Sequence, residues 1–298
     1  MPGKILVSGS SGLIGAALLP ALQSSGYEVT RLVHGVASGA GQIRWNPAQP
    51  LAPELVSGFD AVVHLAGESI VGRWTEAKKR RIRESRVQGT RNLAAALAAA
   101  PQRPPLLISA SAIGYYGNRG EEPLHEESAS GNGFLPEVCR EWESAAEPSA
   151  KAGIRAVQMR FGLVLSSSGG ALQKMLLPFR MGLGGNMGNG RQWCSWIDIS
   201  DVVGAIQYVL KTESLQGPVN VVAANPVRNA EFTQTLASVL SRPAIFPMPA
   251  FAARLVFGQM GDELLLASQW VEPAKLLGSG YVFAKPGLRK ALEDILKT

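Results

Sequence analysis

The chain has 298 residues, of which 46% are hydrophobic and 17% are charged. This composition excludes a disordered chain and allows one large domain or two coupled domains. No apolar run is long enough to span a bilayer and no signal peptide is recognisable, so we expect a cytoplasmic protein with no membrane partner. Two cysteines, Cys139 and Cys194, are too few for a disulfide framework or a zinc site. The three histidines show no metal-ligand spacing, so no metal is expected.

The net charge of +6 arises from one segment, residues 73–91, which contains eight Lys or Arg residues and two Glu residues. We interpret this segment as a solvated helix face with some ion pairing. A local positive field for an anionic substrate or cofactor is a second interpretation. Nucleic-acid binding is a third, but the segment is not interleaved with aromatic residues, so we expect no nucleic-acid partner.

The N-terminal residues have the pattern of a βαβ unit. Residues 4–8 are an apolar run that is typical of a buried strand. Residues 13–26 carry apolar side chains at helical spacing and end in a glycine, and residues 27–34 read as a second strand. The glycine-rich sequence GSSGLIG joins the first strand to the helix, which is the arrangement of a dinucleotide-binding turn.

Each glycine of this turn has a predicted task. Gly9 allows a tight turn, Gly12 lets the backbone approach a pyrophosphate, and Gly15 lets the helix pack closely on the strand. Free N–H groups at the start of the helix would attract the phosphates. The alternative is a purely structural turn. The cofactor-binding residues predicted here are Gly9, Ser10, Ser11, Gly12, Leu13, Ile14 and Gly15.

The end of the second strand bears on the choice of cofactor. An acidic residue there would bind the ribose 2′-hydroxyl of NAD and repel a 2′-phosphate. Val33 and His34 occupy this end, and Arg31 and Arg44 are further cations within reach. We therefore expect NADP in preference to NAD, with His34 among the cofactor-binding residues. The alternative for His34 is a solvated histidine at the end of a strand.

The next strand, within residues 59–70, ends in a loop of small residues. Ligands of doubly wound sheets lie at the carboxyl ends of strands. Leu65, Ala66, Gly67 and Glu68 are therefore added to the predicted cofactor site, whereas His64 is interpreted as a core histidine within the strand.

The alternation of elements continues with a helix over 86–100, a strand over 104–117 and a strand over 159–166. It predicts an α/β protein with a Rossmann-type doubly wound parallel sheet over residues 1–165. A smaller C-terminal α+β lobe is predicted over 166–298, with some interleaving of elements. Within it, Asp198 or Ser200 is expected to cap a helix and residues 218–224 to form a strand.

Five motifs, in order, resemble those of extended short-chain dehydrogenases/reductases: GSSGLIG, DAVVHLAGE, VQGTRNL, SASAIGYYG and RFGLVLS. The chain is more closely similar to an atypical subgroup, the NAD(P)-dependent epimerase/dehydratase-like proteins. The segments HLAGESIVGRWTEAKKRRIRESRVQGT, GNGRQWCSWIDISDVV and QWVEPAKLLGSGYVFAKPGLRKAL carry that similarity. It implies a Rossmann domain with NADP or NAD, a small C-terminal domain, and a monomer or homodimer, but no known substrate.

The resemblance also implies a catalytic Ser or Thr and a Tyr-Lys pair in a YxxxK motif, in which the Lys lowers the pKa of the Tyr. No YxxxK occurs in the chain. The Tyr position falls on Leu135 and the Lys position on Cys139, and neither residue can perform that chemistry. The usual Ser position falls on Ala112, with Ser111 beside it. Standard Tyr-Lys catalysis is therefore not expected.

Four residues are candidates to replace the missing pair: Ser111, Tyr115, Tyr116 and Glu68. Ser111 can hydrogen-bond a carbonyl, the tyrosines lie at the carboxyl end of a strand, and Glu68 is an acid or base if it is buried. Each has a structural alternative. Ser111 would cap the strand end, Tyr116 would pack or hydrogen-bond near the cofactor, and Glu68 would pair with Arg73 or Arg86.

Two further candidates concern the substrate and a nucleophile. Trp193 and Trp196 flank Cys194 in a strand-like run, and one of them is a candidate floor for a substrate pocket, although two core tryptophans explain the pattern as well. Cys139 is disfavoured as a nucleophile, because nothing visible lowers its pKa.

The sequence thus predicts an NADP-binding oxidoreductase or epimerase-like enzyme that acts on a small hydroxyl or carbonyl compound. The missing Tyr-Lys pair supports an alternative, a catalytically weak NADP-binding sensor or scaffold.

Overall fold

Strands and helices alternate along most of the chain, whose residues 3–35, 37 and 39–297 are described by a computed structural model. The strands are β1 (Lys4–Ser8), β2 (Glu28–Val33), β3 (Gln42–Arg44), β4 (Ala61–His64), β5 (Leu106–Ala112), β6 (Pro123–Leu124), β7 (Arg155–Phe161), β8 (Leu163–Leu165), β9 (Trp193–Cys194), β10 (Trp196–Asp198), β11 (Gly217–Val221), β12 (Val227–Arg228) and β13 (Trp270–Val271). The α-helices are α1 (Leu13–Ser24), α2 (Glu76–Ala99), α3 (Phe134–Ser144), α4 (Glu147–Lys151), α5 (Gly170–Arg180), α6 (Ile199–Lys211), α7 (Asn229–Val239), α8 (Ala250–Phe257), α9 (Ala274–Gly278) and α10 (Leu288–Leu296).

Seven strands form one sheet in the order β11-β7-β5-β4-β1-β2-β3, and every neighbouring pair is parallel. The order reverses at β1, because β2 and β3 extend the sheet on one side of it and β4 on the other. This is the doubly wound arrangement predicted from the sequence, and it opens a crevice at the carboxyl ends of β1 and β4.

Both faces of the sheet are buried, which explains why its strands are apolar runs rather than alternating ones. On β1, Ile5 and Val7 pack with α1 and α6 on one face. Leu6 faces the opposite way and packs with side chains of α2, including Leu93 and Leu97. The two cores hold the strand ends of the crevice in fixed positions.

Three elements differ from the prediction. The strand expected over 104–117 ends at Ala112, and Ile113–Tyr116 form a single 3-10 turn after it. The helix expected over 86–100 begins ten residues earlier, at Glu76, where the hydroxyl of Thr75 accepts a hydrogen bond from the Lys78 N–H at 3.2 Å. The strand expected over 159–166 is two strands separated by Gly162. A Cβ on Gly162 would lie 2.5 Å from the carbonyl oxygen of Ser195, so this close backbone approach directs β8 away from the main sheet to pair with β10.

The C-terminal lobe interleaves with the sheet. β11 pairs with β7 in the main sheet, although it lies beyond residue 165. Side chains of α5, α7 and α10 form a second core around Trp196. Asp198 and Ser200 were the two residues predicted to cap this helix. Asp198 caps α6, because its carboxylate accepts a hydrogen bond from the Ser200 N–H at 2.7 Å. No helix within the described residues is both long and apolar enough to cross a membrane.

Candidate cofactor and active site

The turn between β1 and α1 is held by two glycines that admit no side chain. Gly9 has a left-handed backbone with φ of +70°, and a Cβ on it would lie 2.5 Å from the carbonyl carbon of Leu65. A Cβ on Gly15 would lie 2.3 Å from the carbonyl oxygen of Gly9. Both positions therefore require glycine for packing within the chain itself.

Gly12 is different, because its neighbours leave space above it. A Cβ there would meet one atom within 4 Å, the carbonyl oxygen of Gly9 at 3.3 Å, and its φ of −75° suits any residue. Gly12 is also the N-cap of α1, and no side chain caps the helix. An exposed helix N-terminus with open space above a glycine is the geometry that a phosphate requires.

The loop after β4 lies directly against this turn. The backbone of Leu65 and Ala66 contacts Gly9, so the predicted residues of the two loops are brought together. Gly67 follows, with the guanidinium of Arg86 about 3.4 Å from the position of its Cβ. Arg86 donates to the carbonyl oxygen of Glu68 at 2.9 Å, and burial lowers the pKa of its guanidinium.

Glu68 was a candidate acid or base only if its carboxylate was buried, and the carboxylate is not buried. Its side chain is 38% exposed, and its carboxylate accepts a hydrogen bond from Lys78 Nζ at 2.7 Å, with Arg81 at 3.9 Å. The bond from Lys78 lowers the pKa of the carboxyl group. Lys78, in the first turn of α2, is the side-chain partner of the carboxylate. Arg86, one of the two predicted partners, instead bonds the backbone carbonyl of Glu68 and its charge also lowers the pKa of the carboxyl group.

The side chains at the end of β2 and in the neighbouring strand β3 include cations and no carboxylate. Val33 is paired in register with Arg44 of β3, whose side chain is exposed, and the exposed His34 follows Val33. Arg31, a further predicted cation, lies opposite Gln42. His34 and Arg44 are therefore both placed at the carboxyl end of the strand where a ribose would sit.

His64 is a core histidine, as interpreted from the sequence. Its Nδ1 lies 2.6 Å from Ser8 Oγ and its Nε2 2.9 Å from Thr90 Oγ1. Burial lowers the pKa of the imidazole to about 4, so the ring is neutral near pH 7. It links β1, β4 and α2 immediately beneath the glycine turn.

Beyond β4, the carboxyl end of β5 carries a buried ionic network. Arg160 of β7 binds the carboxylate of Glu143 in α3 through two hydrogen bonds of 2.8 Å. Ser111, which is in register with Arg160, donates to the same carboxylate at 2.6 Å. The hydroxyl of Ser111 is therefore engaged with Glu143 rather than directed at a substrate carbonyl.

Tyr116 is part of the same network and is completely buried. Its phenol donates to Asn220 Oδ1 of β11 at 2.7 Å and accepts a bond from Arg160 at 2.9 Å. Burial raises the pKa of the phenol to about 12. This arrangement corresponds to the structural alternative for Tyr116, a tyrosine that packs and hydrogen-bonds near the site.

Tyr115 is the candidate whose phenol is free. Its ring is partly exposed and packs on the guanidinium of Arg160, with Cζ 3.6 Å from the ring centroid. Among the described residues, no hydrogen bond to its hydroxyl is present. The cation–π contact fixes the ring at the carboxyl end of β5, while the hydroxyl remains available to a ligand.

The positions that correspond to the missing Tyr-Lys pair are filled by packing residues. Leu135 and Cys139 lie on the first turns of α3 and are buried against Gly114 of the turn after β5. Burial, together with the nearby Glu143 carboxylate, raises the pKa of the Cys139 thiol to about 12. Cys139 is thus a neutral thiol, which agrees with its being disfavoured as a nucleophile.

The two candidate substrate tryptophans have different surroundings. Trp196 is completely buried in the second core, so it presents no surface to a substrate and is a core tryptophan. Trp193 is partly exposed, but its ring packs against both Trp270 and the guanidinium of Arg228. Its Nε1 donates to Glu121 at 3.0 Å. The contacts of Trp193 therefore lock the loop after β5 to the C-terminal lobe.

Sequence reasoning missed two groups that shape the site. The first group is the Arg160–Glu143 pair. A lone Arg160 in the buried strand AVQMRF was a signal that a carboxylate must face it, but the sequence did not show that Glu143 is that carboxylate. Glu263 is the second group. Its carboxylate accepts bonds from the N–H groups of Phe134 and Leu135 at 3.1 and 2.8 Å and so caps α3. A separation of about 130 residues leaves no local signal for that cap.

Comparisons with known proteins agree with this geometry. The model of the NAD dependent epimerase/dehydratase family matches residues 5–223, and that of a domain of unknown function, DUF1731, matches residues 248–295. The epimerase family protein Mb2239 of Mycobacterium bovis is 40% identical over 290 residues, which cover 97% of this chain and 96% of that protein.

Two solved structures are similar over almost the whole chain. The human epimerase family protein SDR39U1 (isoform 2), crystallised with NADPH, is 36% identical, with a TM-score of 0.91 and coverage of 99% of both chains. The nucleoside-diphosphate sugar epimerase of Corynebacterium glutamicum is 38% identical, with a TM-score of 0.84 over 99% of this chain and 58% of that one. The chain belongs to the NAD dependent epimerase/dehydratase family, and residues 248–295 match the small C-terminal domain DUF1731.

Proposed function

We propose that this protein is an NADP-dependent oxidoreductase, or an epimerase that uses its cofactor transiently, acting on a small hydroxyl or carbonyl compound. The observation that carries the proposal is the open space above Gly12 at an uncapped helix N-terminus, with the partly exposed Tyr115 after β5, two strands away on the same edge of the sheet. A carbonyl group held between Tyr115 and the nicotinamide of a dinucleotide bound at this turn would meet both halves of a redox site.

The residues around the turn fit a dinucleotide. Gly12 and the first N–H groups of α1 would hold the pyrophosphate, and the backbone of Leu65 to Gly67 would lie along the ribose and nicotinamide side. Arg44 and His34 would approach a 2′-phosphate, where NAD-specific relatives need a carboxylate. The NADPH in the crystal structure of the human relative supports the same choice.

Tyr115 is the proposed proton donor and acceptor. The bound cofactor would supply or accept the hydride. Tyr115 would then donate its phenolic proton to the carbonyl oxygen during reduction, or accept the proton during oxidation. Arg160, stacked beneath the ring, fixes its orientation and places a positive charge against the ring that carries negative charge once the proton has left. Glu143 and Ser111 would act through Arg160 as positioning residues.

Arg86 is the proposed substitute for the missing Lys. Its guanidinium lies beside Gly67 and stacks on Trp142 of α3, with Cζ 5.0 Å from the ring centroid. A desolvated cation at this place would hydrogen-bond the cofactor ribose or orient the substrate.

Turnover tests the proposal. Purified protein loaded with NADPH is mixed with a panel of aldehydes, ketones and keto sugars, and loss of the reduced nicotinamide absorbance is followed. We expect turnover with at least one compound, and a fall of about a hundredfold or more in Tyr115→Phe, since a general acid contributes that much. Tyr27→Phe, a partly buried tyrosine at the start of β2, is the matched control and should retain full activity.

A binding module is the competing function, and the apolar side chains of Leu135 and the neutral Cys139 at the Tyr and Lys positions favour it. A sensor or scaffold would bind NADPH tightly and bind a partner with an affinity that differs between NADPH and NADP. Cofactor-loaded protein that turns over no member of the panel would overturn the enzymatic proposal in favour of this one.

A further inference from the structure

Eight large apolar side chains form an exposed surface outside the cofactor site. We call this surface the apolar patch. Each of its members exposes between 52% and 73% of its area: Leu177, Met181, Leu183, Ile245, Phe246, Phe251, Leu255 and Val256. A soluble monomer rarely exposes a contiguous apolar area beyond a few hundred Å², so a patch of this composition indicates a surface that is covered in function.

The members are contiguous because two chain segments run side by side. The N–H of Phe246 donates to the carbonyl oxygen of Gly184 at 3.1 Å, and that of Met248 donates to Asn186 at 2.8 Å. Leu183 lies at one end of this pairing, where its own N–H bonds the carbonyl of Pro178 at 2.9 Å. The end of α5 and the paired segments are therefore adjacent, and α8 begins at Ala250, two residues after Met248.

The two helices present their apolar residues on single faces. Leu177 and Met181 are four residues apart at the end of α5, and Phe251 and Leu255 are four residues apart on α8. Residues at this spacing lie above one another on a helix surface. Each helix therefore contributes an apolar stripe to the patch.

The charged side chains within the two segments that carry the patch are positive, and a neighbouring carboxylate, Asp262, lies just beyond them and is paired with Arg254. Residues 170–190 and 239–261 contain no Asp or Glu, but they contain Lys174, Arg180, Arg242 and Arg254. Arg242 donates to the carbonyl oxygen of Arg180 at 3.1 Å, so these two cationic side chains belong to the same edge of the patch. Of the four, only Arg254 forms an ion pair within the described residues, with Asp262 at 2.7 Å.

The apolar side chains and the positive charges together indicate which kind of partner would cover the patch. A second copy of the chain, related by two-fold symmetry, would bring the same unpaired cations against these, and like charges oppose that contact. An anionic lipid surface satisfies both features, because acyl chains accept Phe, Leu and Ile side chains while lipid phosphates pair with Arg and Lys.

We propose that the apolar patch docks the protein on an anionic lipid membrane, as a peripheral contact that requires no spanning helix. Apolar side chains of α8 and the 243–249 segment would enter the boundary between headgroups and acyl chains. Arg180, Arg242 and Lys174 would lie at the level of the phosphates. The expectation of no membrane partner rested on the absence of a spanning run, which does not bear on a contact of this kind.

Vesicle co-sedimentation tests the proposal. The full chain is mixed with vesicles of phosphatidylcholine alone or of an equimolar mixture with phosphatidylglycerol. We expect binding to the mixed vesicles, little binding to phosphatidylcholine alone, and weakening as salt rises. The double variant Phe251→Ser/Leu255→Ser should lose about tenfold or more in affinity, because the inserted apolar area is removed. Arg180→Gln/Arg242→Gln should bind more weakly and with a smaller salt dependence.

The matched control is Leu277→Ser/Val282→Ser, which removes two apolar side chains outside the patch that are 50% and 84% exposed and should bind like the wild type. Ile245→Ser/Phe246→Ser is a second patch variant in case the first does not fold, as judged by its thermal melting. Absence of binding to the mixed vesicles, or equal binding by patch and control variants, would overturn the proposal. A dimer in solution that Phe251→Ser/Leu255→Ser dissociates would instead assign the patch to a second copy.

Discussion

At the scale of single residues, the three glycines of the turn differ in what they contact. Gly15→Ala places a methyl group 2.3 Å from a carbonyl oxygen, so we expect it to lower the free energy of unfolding by about 3 kcal/mol or more. Gly12→Ala meets only one atom, at 3.3 Å, and should cost about 1 kcal/mol or less. Urea unfolding of both variants beside Gly278→Ala, a position with open space around it, measures the difference. Equal losses at Gly12 and Gly15 would contradict the geometry.

His64 gives a second prediction at this scale. Its folded pKa is about 4, below the ordinary value near 6.5, so between these pH values the unfolded chain binds a proton that the folded protein does not. The contribution of His64 to the free energy of unfolding is therefore fully present above pH 6.5 and is lost as the pH falls toward 4. We expect about 2 to 3 kcal/mol less free energy of unfolding from this group at pH 4.5 than at pH 7.5.

The measurement for His64 is urea unfolding at the two pH values for the wild type and His64→Gln. The variant has no titrating ring, so its difference between the two pH values should be smaller than that of the wild type by the stated amount. An equal pH dependence in both proteins would show that His64 does not cause it.

Residue-scale prediction from sequence succeeded where the reason was local. The spacing of Gly9, Gly12 and Gly15 after a strand located the turn, and the apolar strand around His64 indicated a core histidine. It did not find partners that lie far away in the chain. The engagement of Ser111 by Glu143 depends on how α3 packs against β5, and no short motif encodes that packing.

At the scale of elements, the Glu143–Arg160 pair joins α3 to the ends of β5, β7 and β11. Glu143→Leu leaves a buried guanidinium without a carboxylate and should cost about 3 to 5 kcal/mol of unfolding free energy. Adding Arg160→Met removes the unpaired charge, so the double variant should be more stable than Glu143→Leu alone. A double-mutant cycle in urea tests this coupling, and additive losses would contradict it.

The elements themselves were largely predictable, because strand and helix patterns are properties of short windows. The strands that end at Ser8, Val33 and His64 and the parallel sheet followed from this alternation. The division of β7 from β8 was not predictable, since it arises from the close approach of Gly162 to Ser195. The charged face read over 73–91 and the helix predicted over 86–100 proved to be one helix, α2, because the charged first turns hide its apolar face.

At the scale of the whole molecule, a buried carboxylate joins the C-terminal residues to α6. Through α6 it joins them to the large domain, which is the main sheet with the helices packed on it. Asp201 of α6 accepts hydrogen bonds from the N–H groups of Ala284 at 2.7 Å and Lys285 at 2.9 Å. Asp201→Ala leaves both donors unpaired and should cost about 3 kcal/mol, whereas Asp201→Asn retains one acceptor and should cost less.

Hydrogen exchange locates that effect. In Asp201→Ala, amides in residues 281–297 should exchange faster, while those of β1 and β4 should keep their protection. Uniform acceleration over the whole chain would show that the C-terminal residues are not joined to the large domain mainly through Asp201.

The central claim is that the turn at Gly12 binds a dinucleotide and that the end of β2 admits its 2′-phosphate. Fluorescence titration of the purified protein with NADPH and NADH tests it most directly. We predict micromolar or tighter binding of NADPH, binding of NADH weaker by about tenfold or more, and loss of NADPH binding in Gly12→Ala with little change in its melting temperature. If neither nucleotide binds, or if Gly12→Ala binds like the wild type, the turn is only structural and the account is contradicted.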